Sequence, residues 1–151
     1  MESSSLAIGL IQRIEAERLL LLLQWHEVDK LWRFIVAEQL QAESPREALR
    51  REIAWQLNLD RNRDFLVANM AQLVTEASEQ PDGEGPIQIL KLAFFPVHLY
   101  SRRAIQQISH NPSVRWFSSL EVLSGKPILG GQVDPRVSAW LQRWKIVQPW
   151  R

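Results

Sequence analysis

The chain has no cysteine, which excludes disulfides, thiolate metal sites and thiol nucleophiles. It has almost no net charge: 18 basic against 17 acidic residues leave +1, so there is no bulk electrostatic signal for nucleic acid or a membrane surface. It has no apolar run long enough to span a bilayer. Residues 19–23 are consecutive leucines, far short of the ~20 residues of a membrane-spanning helix. No charged-then-apolar leader opens it, so the expected location is cytoplasmic. The histidines, His26, His98 and His110, are scattered without ligand spacing, although His26 follows Trp25 and is a candidate ligand contact. No internal repeat shows. What is present is 151 residues with 46% hydrophobic content, enough for one domain, residues 1–151, with a sizeable core.

The apolar pattern gives the element order. Residues 6–14 and 19–25 are apolar runs joined by a short polar connection, the pattern of a β-hairpin. Residues 32–36 (W-R-F-I-V) read as a third strand. Ser44-Pro45-Arg46-Glu47 offers a capping box with proline at the first helical position. Leu49, Ile53 and Leu57 recur as a buried stripe, and Asn58 is placed to end the helix in a left-handed turn. Residues 65–74 read as a strand, and the acidic, Pro/Gly-rich residues 76–86 as a mobile loop. Residues 87–100 form a long apolar run in which Pro96 predicts a bulge or an edge. Residues 101–109 fit either a short helix or a continued strand. Residues 114–117 read as a strand, 119–123 as a turn or short helix, and 125–132 as loop. Asp134-Pro135 opens a last helix with Val137, Trp140, Leu141 and Trp144 on one face. Strands, helix, strands, helix describe a mixed sheet with helices packed on it.

Residues 37–59 (A-E-Q-L-Q-A-E-S-P-R-E-A-L-R-R-E-I-A-W-Q-L-N-L) resemble the Nudix box, G-x5-E-x7-R-E-U-x-E-E-x-G-U with U aliphatic, and the spacing matches without a gap. Glu43 falls on the first Glu, Arg51-Glu52-Ile53 on R-E-U and Leu59 on the last aliphatic. Ala37 and Asn58 stand at the glycine positions, Trp55 and Gln56 at the Glu-Glu pair. Elsewhere, Trp32-Arg33-Phe34 is similar to the family's W-x-L before its Pro-Gly-Gly turn. Leu92-Ala93-Phe94-Phe95 is similar to its central strand, and the segment from Arg115 to Glu121 to its late R-W-F-S segment. The resemblance covers most of the chain and implies a Nudix-like α/β/α sandwich with a mixed sheet.

The resemblance also implies a reaction, hydrolysis of a nucleoside diphosphate linked to another moiety, with carboxylates holding Mg or Mn. The cation offsets the diphosphate's charge and activates water. Glu52, Trp55 and Gln56 share a helix face by their spacing, and only the first is a carboxylate. Tryptophan has no oxygen for a hard cation, and a neutral amide is no base. Ile35-Val36-Ala37 replaces Pro-Gly-Gly and favours a continued strand. The expectation is a degenerate box: a pseudoenzyme with no cofactor that binds a small ligand or a protein. Glu43 and Arg51 are expected to form a structural pair, and Glu52 to pair with Arg51 or another base.

Two alternatives stand beside this reading. One is a divergent hydrolase whose metal is held by Glu52, Glu43 and an acid from Glu76, Glu79, Asp82 and Glu84. The other is a homodimer or structural module with Trp55, Trp144 and Trp150 in an interface. Seven tryptophans are many for this length. Trp32, Trp116 and Trp140 fit core positions, while Trp55 reads as a plug for the vacated metal pocket, a subunit contact or a stacking surface.

Overall fold

The computed structural model describes residues 2–80, 83, 85–127 and 130–147. Strands β1 (Glu2–Glu15) and β2 (Arg18–His26) make the expected hairpin. Glu15 pairs with Arg18, so the turn is Ala16-Glu17 alone, with φ of 50° and 64°. Two positive φ values give a type I′ turn, whose twist matches the strands; here it forms without the usual Asn-Gly.

The predicted strand at 32–36 is two strands divided at Phe34. β3 (Leu31–Arg33) pairs with β2, and β4 (Ile35–Glu38) pairs with β1. β1 and β2 pair with each other only from Gln12–Leu21 to the turn. Beyond that point each takes its own partner, and the sheet opens as a wedge between them. The β-branched Ile35 and Val36 do continue as strand, and Ala37, opposite Ala7, is fully buried.

The long β7 (Gln88–Leu99) runs parallel to β1, from Glu2↔Gln88 to Gln12↔His98, and makes the sheet mixed. Its other side carries two antiparallel strands, β5 (Phe65–Val67) and β6 (Leu73–Glu79). The run at 65–74 is therefore broken at 68–72, and the break explains Pro96. β7 neither bulges nor lies at an edge there. Pro96 O accepts from Ala68 N at 3.0 Å, so its missing N–H points at the interruption between β5 and β6, where no ladder bond is lost. Glu76 to Glu79, expected in a mobile loop, are part of β6, held by pairing such as Glu76↔Lys91. Asp82 and Glu84 lie outside the described residues. β8 (Val114–Ser118) closes the outer edge of β2.

Among the described residues, four helices cover the two faces. α1 (Pro45–Leu57) and α2 (Arg102–Ser109) bury Leu49, Ile53, Leu57 and Ile108 against Ala7, Ile11 and Val97. α3 (Ser119–Ser124) and α4 (Pro135–Arg143) bury Val122, Val137, Trp140 and Leu141 against Ile8, Leu10 and Phe94. Alternate residues of β1 thus feed opposite cores, as the period of a strand dictates. Gly9 lets α1 approach: a Cβ there would lie 3.3 Å from Leu49 Cδ1. The open question at 101–109 resolves as helix, begun by Ser101 Oγ accepting from Ala104 N at 2.9 Å. Trp32 and Trp140 are buried as expected, whereas Trp116 is only half-buried beneath the Arg13 guanidinium, 5.4 Å from its ring. Trp144 packs near Phe94, and Trp150 lies outside the described residues.

Candidate functional site

α1 is fixed at both ends by the residues expected to fix it. Ser44 Oγ accepts from Glu47 N at 3.1 Å, Pro45 stands at the first helical position, and Asn58 adopts the left-handed conformation with φ 54°. The Glu47 carboxylate does not complete the capping box; it takes Arg50 at 3.0 Å instead. The reciprocal box occurs on α3, between Ser118 and Glu121, where the sequence reading had only a turn or short helix. The side chain of Arg46 reaches Val67 O and Ala68 O at 3.1 and 3.2 Å and ties α1 to β5.

With Leu49, Ile53 and Leu57 facing the core, Arg51, Glu52 and Gln56 lie half-buried along the flank of α1, and Trp55 stands exposed beside them. Arg51 grips Glu43 with both sides of its fork, at 2.9 and 3.2 Å. It donates again to Glu52 Oε2 at 2.8 Å and to Glu38 O at 3.2 Å. The Arg51 hydrogen bond holds the Glu43 carboxyl below the ordinary carboxylate range. The other Glu52 oxygen, Oε1, accepts from Gln56 Nε2 at 2.8 Å. Both oxygens of Glu52 are therefore engaged. One engaged carboxylate and one neutral amide do not make the cage of hard oxygens that a divalent cation takes. Among the described residues, no three His, Asp or Glu side chains converge on a cation-sized position. Trp55 is 79% exposed and fills no pocket, contrary to its reading as a plug.

The wedge between β1 and β2 forms a cleft of about 330 Å3 beside this face, with Gln56 on its wall. Ile8, Phe34, Val36 and Trp140 give it an apolar floor; Gln24, His26, Arg33 and Arg136 give it a polar rim. The rim cations already have anionic partners. Arg33 meets Asp29 at 2.6 Å and Asp134 at 3.5 Å, and Arg136 meets Glu79 at 3.0 Å. The Arg33 Nε is buried and lies beside Asp134 without a hydrogen bond, since 3.5 Å is charge proximity rather than bonding distance. His26 Nδ1 lies 3.4 Å from Asp29. A larger cavity, about 420 Å3, lies between α2 and β8 and shares no residue with the cleft.

The structure thus brings Glu43, Arg51, Glu52 and Gln56 into one chain of contacts and sets Trp55 beside it. Glu76 faces solvent on β6, while Glu79 is bound to Arg136. Sequence reasoning placed His26 near a ligand but missed Gln24, Arg33, Asp134 and Arg136 as a group. Asp134 carried a helix-start signal only.

By sequence, no family profile and no curated protein matches the chain. By structure, the Ap4A hydrolase of C. elegans superposes with a TM-score of 0.59 at 12% identity, covering 97% of this chain and 98% of that one. The chain has the Nudix fold. RenU, a Nudix hydrolase from M. smegmatis, gives 0.59 at 16% identity over 94% and 84% of the two chains. The E. coli ORF135 protein gives 0.53 at 22% over 97% and 91%. Likeness at these identities is one of fold, and the Nudix fold hosts more than one role. NrtR from Shewanella oneidensis, with a TM-score of 0.56 at 14% identity over 94% of this chain and 62% of that one, has also been crystallised with a 27mer DNA.

Proposed function

We propose that this Nudix-fold chain is a binding module with a degenerate box, catalytically inactive, which takes a small organic ligand in the cleft between β1, β3 and α4. The observation that carries this reading is the state of Glu52. Its two oxygens accept from Arg51 and Gln56 at 2.8 Å each, so it is committed to the scaffold rather than free for a cation. The cleft supports a ligand with an apolar body and a hydrogen-bonding edge. Its cations are already neutralised by Asp29, Asp134 and Glu79, which argues against an oligophosphate. The exposed indole of Trp55 supports a second reading, a protein partner docking on α1.

Two measurements test the proposal together. Magnesium or manganese, titrated to millimolar concentration, should leave the amide signals of α1 unmoved. Nucleoside triphosphates, nucleotide sugars, dinucleoside polyphosphates and ADP-ribose should show no hydrolysis above a no-enzyme control. A metal-dependent activity that falls at least about tenfold in Glu52→Gln, or about 1.4 kcal/mol of transition-state stabilisation, would establish the hydrolase reading instead. The paired change Trp55→Glu with Gln56→Glu should create a saturable metal response at α1.

A further inference from the structure

A second basin lies on the face of β2 and β3 opposite the cleft. Side chains alternate along a strand, so Gln24, His26 and Arg33 serve the cleft while Trp25 and Trp32 serve this basin. The two share no lining residue. Strand register sets its composition. Trp25 pairs with Trp32 across β2 and β3, and Arg115 pairs with Leu23 across β2 and β8. All these side chains stand on one face. The Arg115 guanidinium lies 4.8 Å from the centre of the Trp32 ring and 6.0 Å from that of Phe117. It makes no ion pair and no hydrogen bond with any described residue. This is the reverse of Arg33 and Arg136 in the cleft. The rings orient the planar fork, and among the described residues its donors have no partner.

Two further features shape the basin. The Trp25 ring, only half-buried, is tilted 58° to Trp32 at 5.1 Å and is fixed by its Nε1 donating to Glu27 Oε2 at 2.6 Å. Glu27 is in turn paired with Lys30, so its charge is offset. Gly131 brings loop backbone against both indoles. A Cβ there would lie 2.7 Å from Trp32 Nε1 and 3.3 Å from Trp25 Cζ3, at a φ of +85°, so no other residue lets the loop pass so close. The basin is shallow and open to solvent, with a volume of about 360 Å3, near the small end of ligand sites.

We infer that this basin binds a planar aromatic molecule carrying one anionic group, the ring against Trp25 and the anion on the guanidinium donors of Arg115. A planar fork suits carboxylate and phosphate alike. The probes are therefore AMP and indole-3-acetate, set against the neutral rings adenosine and indole and the bare anions phosphate and acetate. The readout is the indole N–H signals of Trp25 and Trp32. At least one aromatic anion should saturate those signals below about 1 mM and bind at least about tenfold more tightly than its neutral ring and its bare anion. The comparison of each aromatic anion with its own neutral ring and its own bare anion separates the contribution of the ring from that of the phosphate or carboxylate. Arg115→Gln should weaken binding at least about tenfold and Arg115→Lys less, because the charge stays while the fork is lost. Trp25→Ala should leave the aromatic anion binding no better than the bare one. Unchanged near-ultraviolet circular dichroism in the Arg115 variants confirms folding. Val36→Trp, which narrows the cleft, should not alter this affinity, so a failure at the cleft is distinguishable from a failure here. Absence of saturable binding by both aromatic anions, equal binding of the neutral rings, or full affinity in folded Arg115→Gln would overturn the inference.

Discussion

Asp64 sits against the start of α2, where Ser101 and Arg103 meet its carboxylate. It is 2% exposed, yet it stays charged below the ordinary carboxylate range. Burial opposes that charge, but the Ser101 hydroxyl at 2.6 Å, the Asp60 N–H at 2.7 Å and the Arg103 guanidinium together outweigh it. The unfolded chain therefore takes up this proton first as pH falls. The stability that Asp64 contributes is complete above the unfolded value of ~4 and drains away as pH drops through the lower folded value. Asp64→Asn should cost about 2 kcal/mol near neutral pH. Denaturant titrations across pH should show the gap between the two proteins narrowing on acidification; a constant gap would mean that the charge is not what matters. Nothing local announces this knot, because Ser101 and Arg103 lie 37 and 39 residues away. The Glu43–Arg51 pair lies within one motif, and the resemblance of that motif to the Nudix box made it legible. Trp55 misled for a third reason: large aromatics usually bury, and this one does not.

At the scale of the element, α1 was legible at both ends because caps are local chemistry. Ser44 and Asn58 act within a turn of where they stand. Ser44→Ala should lower stability by ~1 kcal/mol, measured by chemical denaturation. A loss near zero would mean that the remaining N-terminal contacts, including Pro45 at the first helical position, suffice. Strands were harder. Residues 76–79 looked like loop because acids and a following Pro/Gly stretch dominate the window, but the ladder to β7 overrides that composition. The run at 65–74 hid its break, since the break answers to Pro96 on another strand. Phe34 hid the change of partner between β3 and β4 for the same reason: pairing is decided across the sheet, not along the chain.

At the scale of the whole molecule, the order of elements was enough to give a mixed sheet between helices, while the wedge that forms the cleft was not visible. It depends on β1 and β2 parting after Gln12 and Leu21, a matter of register between segments that are equally apolar. The same architecture leaves β6 paired, among the described residues, only with β7. Its outer backbone groups and the 71% exposed Val74 form a short template on which another extended chain could grow. Glu76, pointing outward two residues further on, sets a repelling charge on that template, as gatekeeper residues do. Removing it as Glu76→Val would give β6 the run L-V-T-V-A, uncharged and rich in β-branched residues. Folding stability should change little, while turbidity and thioflavin fluorescence at elevated concentration should rise well above those of the parent protein. On that outcome, the negative charge that the sequence suggested as a source of metal ligands would act colloidally, keeping copies of the chain apart.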